Sequence, residues 1–566
     1  MSGTRVMVNG REVTLPGAEA TAEQLKAAGN VPQDSMLVQQ DADANHFVQP
    51  GQRVKLTPNG HFASVPVFEY GAVEREVVIT GPDLVRLRAH LFDDPSREQH
   101  AFLLAAPCDT PGRLRLLVRE QLLSPPGALA EQSGAYVQVG RDRTVEALKR
   151  CYEEGLSLVE VHSHPFCGHG AAFSSIDVRN ELAKFPYVAE RIPDIHHATL
   201  VFGTESVDGH YWDRRAQRIV PVDRLRVIDA PLQVLTTTSG GRRCTATAWQ
   251  RFLGWCGRRA LAEAPDDLPA SVQRQVLAFG AEGQRRIGET TIGVVGLGGL
   301  GSLTVQMLAH LGCGELVLVD DDRVEETNLN RLVGAEPADA ACKLPKVMAA
   351  ARMARRINPR TKVTLADARL QNPEATDALR RCDAVFGALD NHGARLLLNE
   401  FCCRYLLPYI DMGTGLRVTP DAPLQAGGQV RLVLPGGFCL ECIGGIDRQR
   451  AAYDLMSLEG QERQRVRGYV EGADVPAPAV IFLNTTIAAI AVQECVNLLC
   501  GFKPAHRLIH WDATACLARP LDGGLRREDC VVCGQGQLLA LGDLSRLEPA
   551  TPAPLPEALV AVATPA

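Results

Sequence analysis

The sequence predicts a multidomain α/β chain organised around a doubly wound nucleotide-binding domain, and three observations carry that prediction. With 566 residues the chain exceeds what one hydrophobic core can organise, so three or four domains are expected. Gly293-Val-Val-Gly296-Leu-Gly298-Gly299-Leu-Gly301-Ser302 lies between an apolar strand-like run and an apolar helical run. Further strand-like runs at 316–319 and 384–389 are each followed by an acid, Asp320 and Asp390. Gly296, Gly298 and Gly301 let a strand turn sharply into a helix whose first N–H groups approach a phosphate. By itself such a loop points first to NAD or FAD.

Bulk properties narrow the class. The net charge is −7 with both signs intermixed, which argues against a dedicated nucleic-acid binder. No apolar run is read as approaching the roughly 20 residues that cross a bilayer, so no membrane partner is expected. The opening MSGTRVMVNGREV lacks the layout of a secretory signal. Seventeen cysteines, odd in number in a large chain, read as reduced thiols and metal ligands. A cytoplasmic location is the expectation.

Residues 1–70 read as a small module. Val6-Met-Val-Asn9-Gly10-Arg-Glu-Val13 is two strand halves around an Asn-Gly turn. Thr21 and Gln24 make a capping box that opens a short helix through Ala28. Strand-like runs at 35–39 and 53–57 complete an order that resembles a β-grasp, ubiquitin-like domain; an unrelated small α+β domain fits the same order. The segment runs on through Phe62 and Phe68-Glu-Tyr-Gly71 rather than ending in Gly-Gly, as a fixed appendage would.

Residues 75–222 hold a second cluster. Leu156-Ser-Leu-Val-Glu-Val161 leads into His162-Ser163-His164-Pro165, followed by Ser174-Ser175-Ile176-Asp177. Residues two apart on a strand share a face, so His162 and His164 can grip one metal, with Asp177 as third ligand and a fourth position left for water. These residues resemble the JAB/MPN (JAMM) metalloprotease motif, which clips ubiquitin-like tails. The resemblance implies a catalytic zinc that lowers the pKa of a water, Glu98 as general base and Ser174 as a hydroxyl steadying the oxyanion. The loop after Pro165 is longer than the common pattern and carries Cys167, Gly168 and His169, the last either a spare ligand or a solvated residue. Glu160 is a weaker rival for the base. Residues 223–270 read as a linker with a helical stretch at 249–262.

The chemistry of the nucleotide domain turns on the residues after the second strand-like run. Asp320-Asp-Asp-Arg-Val-Glu-Glu-Thr327-Asn328-Leu329-Asn330-Arg331 is followed by Lys343-Leu-Pro-Lys346, and Asp390-Asn391 ends the next strand-like run. Hydride transfer has no use for cations gathered near a pyrophosphate, whereas an enzyme that expels one does. Together these residues resemble the ThiF/MoeB-like adenylyltransferases of the ubiquitin-activating-enzyme superfamily, over about 271–540. The resemblance implies ATP and Mg2+, with Gly296, Gly298, Gly301 and Asp320 as nucleotide contacts. Asn328 and Arg331 would contact phosphate, Lys346 would be the phosphate lysine with Lys343 as second candidate, and Asp390 the magnesium-linked acid beside Asn391. Arg274 matches an arginine that reaches a partner subunit's ATP site, which implies a homodimer. Cys439-Leu-Glu-Cys442 and Cys530-Val-Val-Cys533 are two pairs suited to one tetrahedral, closed structural zinc.

Many relatives carry a nucleophilic cysteine after the first Cys-x-x-Cys. Here none occurs between Ile443 and Glu494; Cys495 and Cys500 read as packed thiols, and Ser457, Thr485 and Thr486 are the nearby hydroxyls. Residues 541–566 read as a disordered tail. The expected architecture is therefore a β-grasp-like domain, a JAB/MPN α/β domain and a Rossmann-like adenylation domain with a four-cysteine zinc site. The expected function is ATP-dependent activation of a small ubiquitin-like protein's C-terminus, combined with its zinc-dependent processing or removal, with a conjugating enzyme as a further partner. Activation of a sulfur-carrier protein for cofactor synthesis, a nicotinamide oxidoreductase and a docking scaffold with inert sites are the alternatives.

Overall fold

A computed structural model describes residues 3–8, 11–29, 36–40, 45–48, 53–57, 60–65, 73–134, 136–168, 170–192, 195–239, 268–419, 422–466, 479–522, 524–534 and 536–545. They fall into two units, Met1–Glu74 and Arg75–Ala566.

In the first unit, Gly3–Val8 pairs antiparallel with Arg11–Pro16 and parallel with Gly60–Val65, whose other neighbour is Met36–Gln40. Val6 and Val8 alternate inward and meet Leu15, Leu25 and Phe62 in one core. The helix Ala22–Gly29 opens on the capping box: Thr21 N–H donates to Gln24 Oε1 at 2.9 Å and Gln24 N–H to Thr21 Oγ1 at 3.4 Å. Val8 is paired with Arg11, as a two-residue connection requires; the Asn9-Gly10 turn and Phe68-Glu-Tyr-Gly71 themselves lie outside the described residues.

The second unit holds two large sheets. The first has nine strands, with Ser157–Ser163 between His197–Phe202 and His100–Thr110. It does not stop at residue 222. Arg224–Ile228 runs parallel to Glu74–Thr80, and Gln233–Thr236 pairs with it, because Leu225 and Val227 are buried in the same core as Val77 and Ile79. The segment read as a linker from 223 is therefore sheet up to Thr236; its helical stretch at 249–262 lies outside the described residues.

The second sheet runs Lys362–Ala366, Glu315–Val319, Thr291–Val295, Ala384–Gly387, Tyr409–Thr419, then three antiparallel strands ending at Leu517–Leu521. The first five are parallel. Strand order reverses between Thr291–Val295 and Ala384–Gly387, which opens a crevice at their C-terminal ends. The helix Gly299–Leu311 leaves that crevice, and Ile481–Cys500 packs on it. Contrary to the sequence reading, this 20-residue helix is long and apolar enough to span a bilayer, yet 61% of its apolar window is buried inside the domain.

Buried charge joins the two sheets. Arg113 Nη2 lies 2.8 Å from Glu76 Oε2, and Arg113 and Arg226 each lie 3.1 Å from Asp383 Oδ1. Burial alone would push the Glu76 carboxyl up, but Arg226 and Arg113 outweigh it and hold it well below the usual range. Glu76→Ala leaves two buried guanidiniums to share Asp383 alone and should cost about 3–5 kcal/mol, read from the urea midpoint. Because the folded carboxyl is depressed, its contribution is present above the ordinary carboxylate range and fades only as pH falls through the depressed value. A wild-type midpoint in the variant would remove this cluster from the stability of the unit.

The end of the fold also differs from expectation. Gly542–Leu544 is an ordered turn, held by Asp543 Oδ1 accepting from Arg380 at 2.6 Å and by Arg404 donating to Ser545 O at 2.9 Å. The tail read from 541 thus remains in the fold to Ser545; residues 546–566 lie outside the described residues.

Candidate functional site

A cavity of about 1000 Å3 occupies the crevice where strand order reverses. Gly296, Gly298, Asp320, Asn328, Arg331, Lys346, Asp390 and Asn391 line it, drawn from five separated segments. Gly296 has φ +85°, and a Cβ there would sit 2.5 Å from Ala388 O, so the loop can hug the neighbouring strand only as glycine. Asp320 fixes the loop: its Oδ2 accepts from Leu297 N–H at 2.5 Å and its Oδ1 from Asp322 N–H at 2.8 Å. Burial pushes its carboxyl up. Arg331 Nη1 donates to Thr327 O at 2.8 Å, and Lys346 Nζ lies 2.7 Å from Asp322 Oδ2, so both cations are held at the rim. Asn391 caps the helix His392–Arg404 by accepting from Ala394 N–H at 2.7 Å, and leaves the exposed Asp390 facing the cavity.

Three expected contacts fall outside this lining. A Cβ on Gly301 would lie 1.8 Å from Gly296 O, so this glycine serves loop-to-helix packing rather than ligand contact. Lys343 is exposed with φ +49°, whereas the bridge between Arg323 and Pro345 aims Lys346 inward; of the two lysines only Lys346 lines the cavity. Arg274 is exposed near the start of Gln273–Glu289 and does not line its own chain's cavity. The cavity also gathers Arg369, Arg395, Asp454, Ser457 and Asn484, of which the sequence marked only Ser457. Asp454 Oδ2 accepts from His392 and Gly393 N–H at 2.8 and 3.0 Å, an anchor across 62 residues that leaves no local sequence signal.

Residues 272–532 match the ThiF family. A SAMP-activating enzyme E1 of Haloferax volcanii is 30% identical over 271 residues, 48% of this chain and 89% of that protein. The chain belongs to the ThiF family. The molybdopterin-synthase adenylyltransferase of Escherichia coli K12 is 29% identical over 281 residues, 49% of this chain and all of that protein. A crystal structure of E. coli MccB with ATP aligns at 20% identity and a TM-score of 0.37, over 48% of this chain and 76% of MccB. By the family match, these relatives and the strand order described above, the nucleotide domain is a ThiF-type, E1-like adenylyltransferase domain on a Rossmann-like sheet.

The ThiF domain closes on four cysteines. Cys439 Sγ lies 3.9 Å from Cys442 Sγ and 3.6 Å from Cys530 Sγ, and Cys442 Sγ lies 3.4 Å from Cys533 Sγ. Sulfurs about 2.3 Å from a tetrahedral ion would be about 3.8 Å apart, so the set fits a closed metal site. No acyl-accepting thiol faces the cavity among the described residues. Cys495 is buried, which pushes its thiol far up; Cys500, pushed up to about 11 by burial, donates to Gly283 O at 3.3 Å. Thr485 and Thr486 turn their hydroxyls back on Ile481 O and Phe482 O.

The histidine cluster lies on the other sheet. His162 on Ser157–Ser163, His164 just beyond it and Asp177 in the first turn of Ser175–Arg191 bring their ligand atoms within 4.8 Å of one another. Ser174 caps that helix, accepting from Asp177 N–H at 3.2 Å while Ser174 N–H donates to Asp177 Oδ2 at 2.7 Å; this capping box turns the carboxylate toward the histidines. His162 Nε2 is buried with no hydrogen-bond partner among the described residues, and Asp177 Oδ2 lies 3.7 Å from both Nε2 atoms. An orphaned imidazole nitrogen facing a carboxylate suits a cation between them. Glu98 Oε1 is 3.5 Å from His164 Nε2, and burial pushes its carboxyl up to about 7 against the opposing pull of His162.

Glu160 is not free to act as the base. It is committed to Lys184 at 2.5 Å and His100 at 3.2 Å, and although burial opposes its charge, Lys184 holds it ionised. A clamp invisible in the sequence positions Glu98: Gln132 Nε2 donates to Glu98 O at 2.9 Å, and Gln99 N–H donates to Ser163 Oγ at 2.9 Å across 64 residues. His169 lies outside the described residues.

Proposed function

We propose that this chain activates the C-terminal carboxyl of a small ubiquitin-like or sulfur-carrier protein by ATP-dependent adenylation, and carries a metallopeptidase site that trims or releases that protein. The observation that carries the reading is the convergence of Arg331, Lys346 and Asp390 on the glycine loop at the sheet's switch point. The substrate carboxylate attacks the α-phosphorus; a carboxyl oxygen–phosphorus bond forms, the α–β bridging bond breaks, and pyrophosphate leaves with the electron pair. The helix N-terminus beyond Gly298 and the cations Arg331 and Lys346 balance the charge that builds on the departing group. Asp390 would hold Mg2+, which supplies further neutralisation when bound. The E1 and adenylyltransferase names of the relatives support this chemistry.

With no thiol facing the cavity among the described residues, the product is a mixed acyl-phosphate anhydride handed on, to a conjugating enzyme or to a sulfur donor. Arg274 would complete the site of a second copy, making the active form a homodimer. His162, His164 and Asp177 would hold the catalytic zinc, a Lewis acid for an amide carbonyl; Glu98 moves the proton and Ser174 stands beside the site. The four cysteines would hold the structural zinc. The parallel pairing of the first and last strands of the N-terminal unit around its helix supports a β-grasp reading of that appendage.

The decisive experiment is ATP–pyrophosphate exchange with added small β-grasp proteins that end in a free carboxyl. Exchange that depends on one of them is expected. No exchange with any, together with binding of a nicotinamide nucleotide in the cavity, would overturn the reading.

A further inference from the structure

Asn484 is a polar side chain that the adenylation chemistry above does not use. It stands in the first turn of Ile481–Cys500, is 4% exposed, and lines the cavity beside Gly298, Gly299 and Arg331. Its Oδ1 accepts from Thr414 Oγ1 at 2.9 Å, which fixes the amide plane and leaves Nδ2 as the free end. Nδ2 makes no hydrogen bond among the described residues, although a buried amide ordinarily finds partners for its donors. The amide is aimed at Gly299, the first residue of the helix Gly299–Leu311: a Cβ there would lie 2.3 Å from Asn484 Nδ2 and 3.3 Å from Arg331 Cγ and Cδ. The missing side chain of Gly299 is thus the space into which Asn484 and Arg331 converge. At the start of that helix, unpaired N–H groups and the helix dipole already favour an anion.

We propose that Asn484, held in place by Thr414, donates a hydrogen bond to an α-phosphate oxygen of the bound nucleotide, and so is a further contact for the group that receives the carboxylate. This rests on the reading of the cavity as the ATP site. Thr414 is a positioning residue: its hydroxyl donates to Oδ1, and in that arrangement the amide presents its NH2 rather than its carbonyl to the cavity. Asn484 lies 153 residues beyond Arg331 and in no glycine or basic motif, so its place became legible only when Ile481–Cys500 packed on Gly299–Leu311.

Isothermal titration of the full chain with Mg-ATP and with AMP tests this without turnover. Asn484→Ala removes the donor, and Asn484→Asp, nearly the same shape, sets an acceptor and a charge against the phosphate. Loss of one hydrogen bond to a charged group should weaken binding on the order of tenfold to a hundredfold, with the order of affinity wild type, then alanine, then aspartate. The same order is expected with AMP, which keeps the α-phosphate alone. A side chain that merely packs would give the reverse ranking, since aspartate preserves shape; that or any other order overturns the proposal. Should alanine not fold, Thr414→Val is expected to weaken both ligands and Thr414→Ser to restore them, and wild-type binding in Thr414→Val then overturns it. Because nucleotide affinity is read without a carrier protein, failure here is distinct from failure of exchange.

Discussion

Asp390→Ala should lower pyrophosphate exchange by about two to three orders of magnitude while leaving the fold intact. The two halves of that expectation have separate grounds. Asp390 is exposed at the end of Ala384–Gly387, and its carboxylate meets only the Asn391 amide, at 3.4 Å, among the described residues. Its removal should therefore move the thermal midpoint little, by the equivalent of about 0.5 kcal/mol or less. The same exposure places the carboxylate in the cavity with Arg331 and Lys346, where on the proposed reading it would hold Mg2+, which would supply further charge neutralisation. The check is exchange measured alongside a thermal melt. Retained exchange in a folded variant would remove Asp390 from the mechanism, and lost exchange with a collapsed midpoint would make it a structural residue.

Glu98→Gln should lower tail cleavage by about two to four orders of magnitude with metal content unchanged. The glutamine keeps the side-chain shape and cannot take a proton, and the Gln132 clamp, which holds the backbone carbonyl of residue 98, is untouched. Metal content, read by elemental analysis of the purified chain, should instead fall in Asp177→Ala, because Asp177 Oδ2 faces both histidine Nε2 atoms. An active Glu98→Gln would end the assignment of the base, and Glu160 would not replace it, being committed to its ion pair with Lys184 and its hydrogen bond with His100. Cleavage is measured on the same β-grasp protein that supports exchange, so one substrate serves both sites.

Part of both sites was legible because it depends on chain-local rules. A strand's alternation puts His162 and His164 on one face, and a capping box sets Asp177 three residues after Ser174. Gly296 needs its positive φ, and the acids Asp320 and Asp390, beyond the parallel strands Glu315–Val319 and Ala384–Gly387, meet the crevice. Choices between near neighbours were not legible. Lys343 and Lys346 are three apart with the same charge, and only the bridge between Arg323 and Pro345 decides which one turns inward. Gly301 fits the loop pattern but meets backbone rather than cavity.

What the sequence determined by itself was the inventory of candidate groups: a His-x-His with an acid beyond it, two Cys-x-x-Cys pairs, a glycine loop, and the cations that follow it. Those follow from side-chain type and short spacing, which no packing alters. Tertiary structure alone decided what long-range contact creates. It set the nine-stranded sheet that takes in Arg224–Ile228, the buried Glu76–Arg113–Arg226–Asp383 cluster that joins the two sheets, and the amide of Asn484 over Gly299. Each of these depends on groups tens to hundreds of residues apart whose burial is favourable only once both partners are in place, so no local window of sequence contains the free energy that fixes them.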